Sequence, residues 1–143
     1  RNALRHDAFD TEVRMYVHEE MVGGRPLAQI INETHENVKY LKGAKLPPNV
    51  VAVPDIGDAV KGATMVCFCL PHQFLRPLMP KLKETVEPGA KCLSAIKGIS
   101  FDDNGVVLIS DIIREGLNAD CSVLMGANVA NEMASDAFCE TTI

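Results

Sequence analysis

The sequence contains no tryptophan, and aromatic residues make up only 5% of its 143 residues. None of its apolar stretches approaches the roughly 20 residues that a helix needs to cross a bilayer, so we expect no membrane-spanning segment. Its basic residues form no run or stripe and its net charge is -5 at pH 7, which argues against a nucleic-acid-binding protein. The first residues, 1–7, are polar and do not predict a signal peptide.

Cysteine is present, but its pattern does not indicate a disulfide framework. The five cysteines are an odd number at irregular spacings. Four of them lie in apolar, strand-like stretches, namely Cys67, Cys69, Cys92 and Cys121. Such cysteines behave as small buried hydrophobic residues in a reducing compartment, so we expect a cytoplasmic protein. Cys67, Cys69 and His72 raise the question of a metal site, but zinc needs a fourth ligand and no second Cys/His pair lies near, so we expect none.

What the sequence does contain is a regular alternation of strand and helix signals. Apolar or alternating stretches predict strands at 13–17, 50–53, 64–70, 92–96 and 121–125, and the start of another at 141–142. Helical spacing and capping residues predict helices over 26–37, over 55–61, from about 76, directly after a turn at 102–105, and from about 128. The predicted strand at 64–70 has no polar side, which is typical of a parallel strand covered by helices on both faces.

This order of elements predicts one α/β domain with a doubly wound, mainly parallel sheet. In such a sheet the ligand lies beyond the carboxyl ends of the strands. Directly after the first strand come His18, Glu19 and Glu20. An acidic residue there accepts hydrogen bonds from the adenosine ribose of a dinucleotide, and its charge repels a 2′-phosphate. From these residues alone, a solvated acidic turn is an open alternative.

Three further turns carry candidate site residues. Pro71 fixes the turn after the third strand, and the ring of Phe74 there would lie against a cofactor or cover the core. Lys97, beside Gly98, follows the fourth strand and would bring an ammonium group to a substrate oxygen or phosphate, or it is a surface lysine at a turn. The small residues in 125–130 would let a ligand approach the N–H groups at a helix start, or would serve tight strand–helix packing.

Six stretches, taken together, closely resemble the eukaryotic NAD-dependent glycerol-3-phosphate dehydrogenases of the cytosolic type. They are INETHENVKYL (31–41), KLPPNVVAVPD (45–55), LPHQF (70–74), IKG (96–98), VLMGANVA (123–130) and FCETTI (138–143). They follow the family order at nearly the family spacing. The resemblance implies a Rossmann-like fold and reversible hydride transfer, in which dihydroxyacetone phosphate and NADH give glycerol 3-phosphate and NAD.

The resemblance also implies roles for individual residues. The cofactor-binding residues that it implies are His18, where relatives often carry a phenylalanine against the adenine, and Glu19, Pro71, Phe74 and Ala130. The acidic pair formed by Glu19 and Glu20 is consistent with NAD rather than NADP. Lys97 matches the family's substrate-binding lysine near the reacting carbonyl, and is therefore a candidate catalytic residue. Asn128 is implied as a second substrate-binding residue.

The same resemblance implies that residues 1–143 are part of an NAD-binding domain. We expect the family's first strand and Gly-rich loop to precede residue 1, so that the sheet is incomplete. We expect a helical catalytic domain, with a second lysine, to follow residue 143, so the chain alone would be inactive. At full length we expect a homodimer. Two alternatives stay open: another NAD-dependent hydroxy-acid dehydrogenase of the same superfamily, and a nucleotide-binding module without catalysis.

Overall fold

Parallel strands and helices alternate along the chain in the computed structural model, which describes residues 10–103 and 105–143. The chain divides into an N-terminal and a C-terminal unit between Ala59 and Val60. The elements that begin before this division are β1 (Val13–Tyr16), β2 (Met21–Val22), β3 (Arg25–Pro26), α1 (Leu27–Thr34), β4 (Val50–Val53) and α2 (Ile56–Val60). Those that follow are β5 (Met65–Phe68), α3 (Leu75–Thr85), β6 (Lys91–Ser94), β7 (Ser100–Asp102), β8 (Gly105–Val107), α4 (Ile109–Leu117), β9 (Cys121–Val123) and α5 (Ala130–Ala134).

The core of the N-terminal unit lies between a two-stranded parallel ladder and α1. β4 is rich in β-branched valines, and it pairs with β1 from Val13–Val50 to Tyr16–Val53, so the strands predicted at 13–17 and 50–53 are confirmed. α1 packs against β4 with its apolar face. The buried residues of this core are Val17, Leu27, Ala28, Ile31 and Ala52.

A side chain of α1 completes the hydrogen bonding of β4. The Asn32 carboxamide accepts a 2.7 Å hydrogen bond from the Ala52 N–H and donates a 2.9 Å bond to the Ala52 carbonyl. Because a strand edge leaves backbone groups unpaired, this contact fixes the helix against the strand.

The helix predicted at 26–37 is shorter in the structure. β2 and β3 form a hairpin whose turn has Gly23 and Gly24 at φ values of 58° and 81°, a conformation that favours glycine. α1 begins directly after this hairpin. It ends at His35, which adopts a left-handed conformation with φ of 51° and caps the helix by donating its N–H to the Ile31 carbonyl.

The C-terminal unit contains a three-stranded parallel sheet in the order β5-β6-β9. The predicted strands at 64–70, 92–96 and 121–125 are therefore confirmed, with shorter limits. α3 and α4 pack against each other, and α4 also packs on β6 and β9. The buried side chains of this unit include Phe68, Leu75, Leu82, Ile96, Ile109 and Ile113.

The prediction that the strand at 64–70 is buried on both faces is wrong in this structure. Val66 and Phe68 are buried, but Met65, Cys67 and Cys69 alternate with them and are exposed. Side chains of successive residues point to opposite faces of a strand, and helices cover one face here. The expectation of buried cysteines is accordingly correct for Cys92 and Cys121, and wrong for Cys67 and Cys69.

The segment 100–107 also differs from its prediction. The turn at 102–105 joins two antiparallel strands, β7 and β8, with Phe101 paired to Val106. Val106, expected on the apolar face of a helix, is 64% exposed in β8. The helix begins three residues later, at Ile109, because the β-branched Val106 and Val107 favour an extended strand over a helix.

Three smaller differences concern α3, α5 and the end of the chain. α3 begins at Leu75, so Pro80 lies inside the helix and leaves the Arg76 carbonyl without its usual helical donor. α5 begins at Ala130 rather than near 128. The strand expected at 141–142 is a single antiparallel bridge between Met125 and Thr142. Within the described residues, no helix is long and apolar enough to cross a membrane.

Candidate functional site

The predicted site residues form two groups, one in each unit. Those of the N-terminal unit follow β1, and those of the C-terminal unit follow β5, β6 and β9. Both groups therefore lie at the carboxyl ends of parallel strands, where ligands of such sheets bind.

In the N-terminal unit, a pocket of about 400 Å³ lies at the carboxyl ends of β1 and β4. Its volume is within the range of roughly 300–1,000 Å³ that is usual for small-molecule sites. The lining combines the predicted acidic turn with the start of α1, and consists of His18, Glu19, Glu20, Pro26, Leu27, Ala28, Gln29, Asn32, Glu33, Ala52 and Pro54. His18 is oriented by a 3.3 Å contact between its Nδ1 and the Tyr16 hydroxyl.

The two glutamates of the acidic turn have different environments. Glu20 forms an ion pair with Lys39 and accepts a 2.8 Å hydrogen bond from the Tyr40 hydroxyl. These two contacts hold the pKa of the Glu20 carboxyl below its ordinary value, and the same ion pair raises the pKa of Lys39. Glu19 is exposed, and within residues 10–103 and 105–143 its side chain has no ion pair.

The charge of a third carboxylate of the pocket, that of Glu33, is also balanced by a cation. It forms an ion pair with Arg25 and accepts a 2.9 Å hydrogen bond from Gln29. Both contacts lower the pKa of Glu33, Arg25 more than Gln29. The sequence did not predict the partners of these glutamates, which are Lys39, Tyr40 and Arg25. No residue pattern indicates which side chains of a loop or a hairpin will contact a carboxylate that is distant in sequence.

In the C-terminal unit, Lys97 follows β6 and is exposed. Its Nζ donates a 2.6 Å hydrogen bond to the carbonyl oxygen of Gly126, in the turn after β9. β6 is the central strand of its sheet, with β5 and β9 on either side. The ammonium group therefore stands at the carboxyl end of the sheet, as the sequence predicted.

Gly98 allows the turns after β5 and β6 to approach each other. Its φ is 141°, and a Cβ at this position would lie 3.4 Å from Nδ1 of His72. His72 belongs to a 3-10 turn, His72–Phe74, that follows Pro71. The neighbour of Gly98 is thus a histidine of the protein, and the approach of a ligand at this glycine stays a prediction.

Asn128 lies in the tight segment after β9. The Nδ2 of Asn128 is 3.4 Å from the Thr141 hydroxyl, to which it donates. Gly126 permits this packing, since a Cβ there would lie only 2.0 Å from the Glu140 carbonyl oxygen. The small residues of 125–130 thus serve tight backbone packing in this structure, and Thr141 is a neighbour of the site that the sequence did not reveal.

The remaining predicted cofactor-binding residues are accessible. Phe74 is 55% exposed, so its ring is available to a ligand instead of filling the core. Pro71 precedes the 3-10 turn in an extended conformation, with φ of -61°. Ala130 is the first residue of α5 and is exposed. The structure places these residues in the same unit as Lys97 without testing their roles.

Two other features of the described residues bear on the site. A cavity of about 640 Å³ lies among α3, α4 and the β7–β8 hairpin, and contains none of the predicted site residues. Among residues 10–103 and 105–143, no group of three or more histidine, cysteine or acidic side chains could hold a metal ion. The C-terminal unit offers an ammonium group and an amide, and the N-terminal unit offers a nucleoside-sized pocket lined by three glutamates.

Comparison with known proteins identifies the family that the chain resembles. The family described as "NAD-dependent glycerol-3-phosphate dehydrogenase N-terminus" matches residues 2–143. The glycerol-3-phosphate dehydrogenase 1-like protein of Danio rerio is 54% identical over 142 residues, covering 99% of this chain and 40% of the relative. The cytoplasmic NAD-dependent glycerol-3-phosphate dehydrogenase of Drosophila melanogaster is 52% identical over 143 residues, covering 99% and 39%.

A solved structure shows the same fold. The glycerol-3-phosphate dehydrogenase of Saccharomyces cerevisiae superposes with a TM-score of 0.88 at 43% identity, over 93% of this chain and 38% of that protein. The predicted α/β, Rossmann-like fold is confirmed by this likeness. The chain spans about 40% of the length of the curated relatives that it matches. On this evidence the chain belongs to the NAD-dependent glycerol-3-phosphate dehydrogenase family and corresponds to its N-terminal part.

Proposed function

We propose that this chain is the nucleotide-binding part of an enzyme that interconverts dihydroxyacetone phosphate and glycerol 3-phosphate with NADH and NAD. The observation that carries the proposal is the position of Lys97, whose ammonium group stands at the carboxyl end of the central strand β6 in a chain of this family. A cation in that place fits a substrate that gains negative charge on an oxygen during reaction.

The N-terminal pocket fits the adenosine half of NAD. It is lined by three glutamates, of which Glu19 would accept hydrogen bonds from the ribose hydroxyls, and their charge opposes an added phosphate. His18 borders this pocket and offers a ring that stacks on a base, and Glu19, which forms no ion pair within the described residues, offers a carboxylate to the ribose. When bound, NADH supplies the hydride that reduces the carbonyl group.

Lys97 supplies the charge stabilisation that this chain contributes to the reaction. The carbonyl oxygen of dihydroxyacetone phosphate becomes an alkoxide as its carbon is reduced, and an ammonium group beside it stabilises that charge. We assign Asn128 to substrate binding next to Lys97, because both side chains follow neighbouring strands of one sheet. Phe74, Pro71 and Ala130 would contact the cofactor from the same unit.

The domain assignment is part of the proposal. Residues 1–143 would be a portion of the NAD-binding domain, and a helical domain elsewhere in the polypeptide would supply the second lysine and grip the substrate phosphate. The relatives of Drosophila melanogaster and Rattus norvegicus are named cytoplasmic. We accordingly place the full-length protein in the cytoplasm and expect it to be a homodimer.

The test is a steady-state assay of the full-length protein with NADH and a panel of carbonyl substrates. Dihydroxyacetone phosphate should support oxidation of NADH, and unphosphorylated dihydroxyacetone and 2-keto acids should not. Turnover of a keto acid in preference to dihydroxyacetone phosphate would identify a different hydroxy-acid dehydrogenase. Binding of NADH without turnover of any carbonyl substrate would instead indicate a nucleotide-binding module.

A further inference from the structure

The charges around the N-terminal pocket are almost balanced. Three glutamates border it: Glu19, Glu20 and Glu33. Lys39 forms an ion pair with Glu20, and Arg25 forms one with Glu33. Within the part of the chain that the structure describes, Glu19 is the carboxylate without a cation. Among these residues, the pocket therefore has one carboxylate without an ion pair, and each of the other two is paired with a cation.

Glu20 is fixed from three directions. One carboxylate oxygen binds the Lys39 ammonium and the other accepts the Tyr40 hydroxyl at 2.8 Å. Its backbone carbonyl accepts a 2.8 Å hydrogen bond from the N–H of Leu27, at the start of α1. The Glu20 side chain is 22% exposed and that of Lys39 is 45% exposed. Lys39 does not line the pocket itself, but its ammonium group is bound to a glutamate that does, and its side chain is partly exposed to solvent.

Lys39 and Tyr40 belong to a loop with its own internal support. The side-chain oxygen of Asn37 accepts hydrogen bonds from the N–H groups of both residues, at 3.3 Å for Lys39 and 3.0 Å for Tyr40. Lys39 also lies over the Tyr40 ring, with its Nζ 5.0 Å from the ring centre. Because the loop is held in this way, Lys39 would stay near the pocket if Glu20 lost its charge.

We propose that Glu20 is a positioning residue for cofactor specificity: it keeps the Lys39 ammonium in an ion pair and so withholds that cation from a 2′-phosphate, while Glu19 faces the ribose. The proposal rests on the proposed NAD-dependent function. A 2′-phosphate is a strong hydrogen-bond acceptor with close to two negative charges, and lysine binds such groups readily. Discrimination against NADPH therefore depends on a residue that need not contact the cofactor.

The experiment compares the binding of NADH and NADPH to the full-length protein by the fluorescence of the reduced nicotinamide. Glu20→Gln keeps the size of the side chain and its acceptor for Tyr40 but removes the charge that holds Lys39. The ratio of the Kd for NADPH to the Kd for NADH should fall by roughly tenfold or more, since it changes with the charge beside the 2′ position. In the double variant Glu20→Gln/Lys39→Met, the ratio should return toward that of the wild type.

Two single variants serve as controls. Like Glu20, Glu36 forms an ion pair with a lysine: its carboxylate lies 3.0 Å from the ammonium group of Lys45. Unlike Glu20, Glu36 does not border the pocket. Glu36→Gln thus makes the same change in net charge and should leave the Kd ratio unchanged. Tyr40→Phe removes one hydrogen bond to Glu20 without freeing Lys39, and should also leave the ratio unchanged.

Three results would overturn the proposal. The first is an unchanged Kd ratio in Glu20→Gln, and the second is a Kd ratio that stays reduced in the double variant. The third is an equal fall of the Kd ratio in Tyr40→Phe, because it would indicate movement of the turn and not a change of charge. A wild-type protein that binds NADH but turns over no dihydroxyacetone phosphate would contradict the proposed activity and leave this inference standing. The two failures are therefore distinguishable.

Discussion

The Nζ of Lys97 donates a 2.6 Å hydrogen bond to the carbonyl oxygen of Gly126, which joins the turn after β6 to the turn after β9. Before substrate binds, this bond holds a flexible side chain in one place. An ammonium group has three donors, so two remain for a substrate oxygen. The placement of the candidate catalytic cation therefore depends on the backbone of a second turn.

Gly126→Ala should disturb that turn. A Cβ would lie 2.0 Å from the Glu140 carbonyl oxygen, and φ is 137°, so backbone must move. We expect a loss of about 2 kcal/mol or more in the free energy of unfolding, measured by urea denaturation, together with lower kcat/KM. Gly89→Ala is the matched control, because Gly89 also has a positive φ but a Cβ there meets nothing within 4 Å. Equal losses in the two variants would show that conformation, and not the contact with Glu140, accounts for the effect.

Cys92 should react slowly with thiol reagents in the folded protein. It is buried beside Cys121 in the neighbouring strand, and burial raises the pKa of the Cys92 thiol to about 11. At pH 8 only about 0.1% of such a thiol is ionised, and the thiolate is the reactive form. Alkylation with iodoacetamide, followed by mass spectrometry, should modify Cys92 only after denaturant is added. Rapid modification of Cys92 in the native protein would contradict this packing.

Acid should weaken the loop that carries Lys45. The Gly43 N–H and the Lys45 ammonium hold the pKa of Glu36 below its ordinary value of 4.5. A carboxyl whose folded pKa is lowered stabilises the folded state above its unfolded pKa, and this contribution is lost as the pH falls through the folded value. Glu36→Gln should therefore be less stable than the wild type at pH 7, with a difference that shrinks below pH 4.5. A difference that stays constant with pH would assign the effect to lost packing.

The sequence predicted the parts of the fold that depend on local patterns. The apolar stretches around β4, β5 and β9 form strands, and Lys97 and Asn128 stand after strands of one sheet as expected. Burial was less predictable, because a strand with apolar residues on both faces does not show which face a helix covers. Met65 and Cys67 were therefore expected to be buried and are exposed.

The ion pairs around the N-terminal pocket and the β7–β8 hairpin could not be predicted from local patterns. Glu20 and Lys39 are separated by 19 residues, and nothing in the two local sequences indicates that they form an ion pair. The β7–β8 hairpin was missed because the turn at 102–105 is compatible with a following helix or strand. Short extended segments carry too few residues for periodicity to decide between these structures.

The most direct test of the proposed chemistry is the kcat/KM of the full-length protein for dihydroxyacetone phosphate when Lys97 is replaced. Lys97→Ala should lower kcat/KM by roughly 10²-fold or more, because a cation beside developing oxygen charge is removed. Lys97→Arg should also be impaired, since a planar guanidinium does not replace a compact ammonium. Lys91→Ala is the control: Lys91 is an exposed lysine at the start of β6, the strand that Lys97 follows, and its ion pair is with Asp120. Its loss should leave kcat/KM close to the wild-type value. Near-normal kinetics in Lys97→Ala would contradict the proposal and make Lys97 an ordinary surface lysine at a turn.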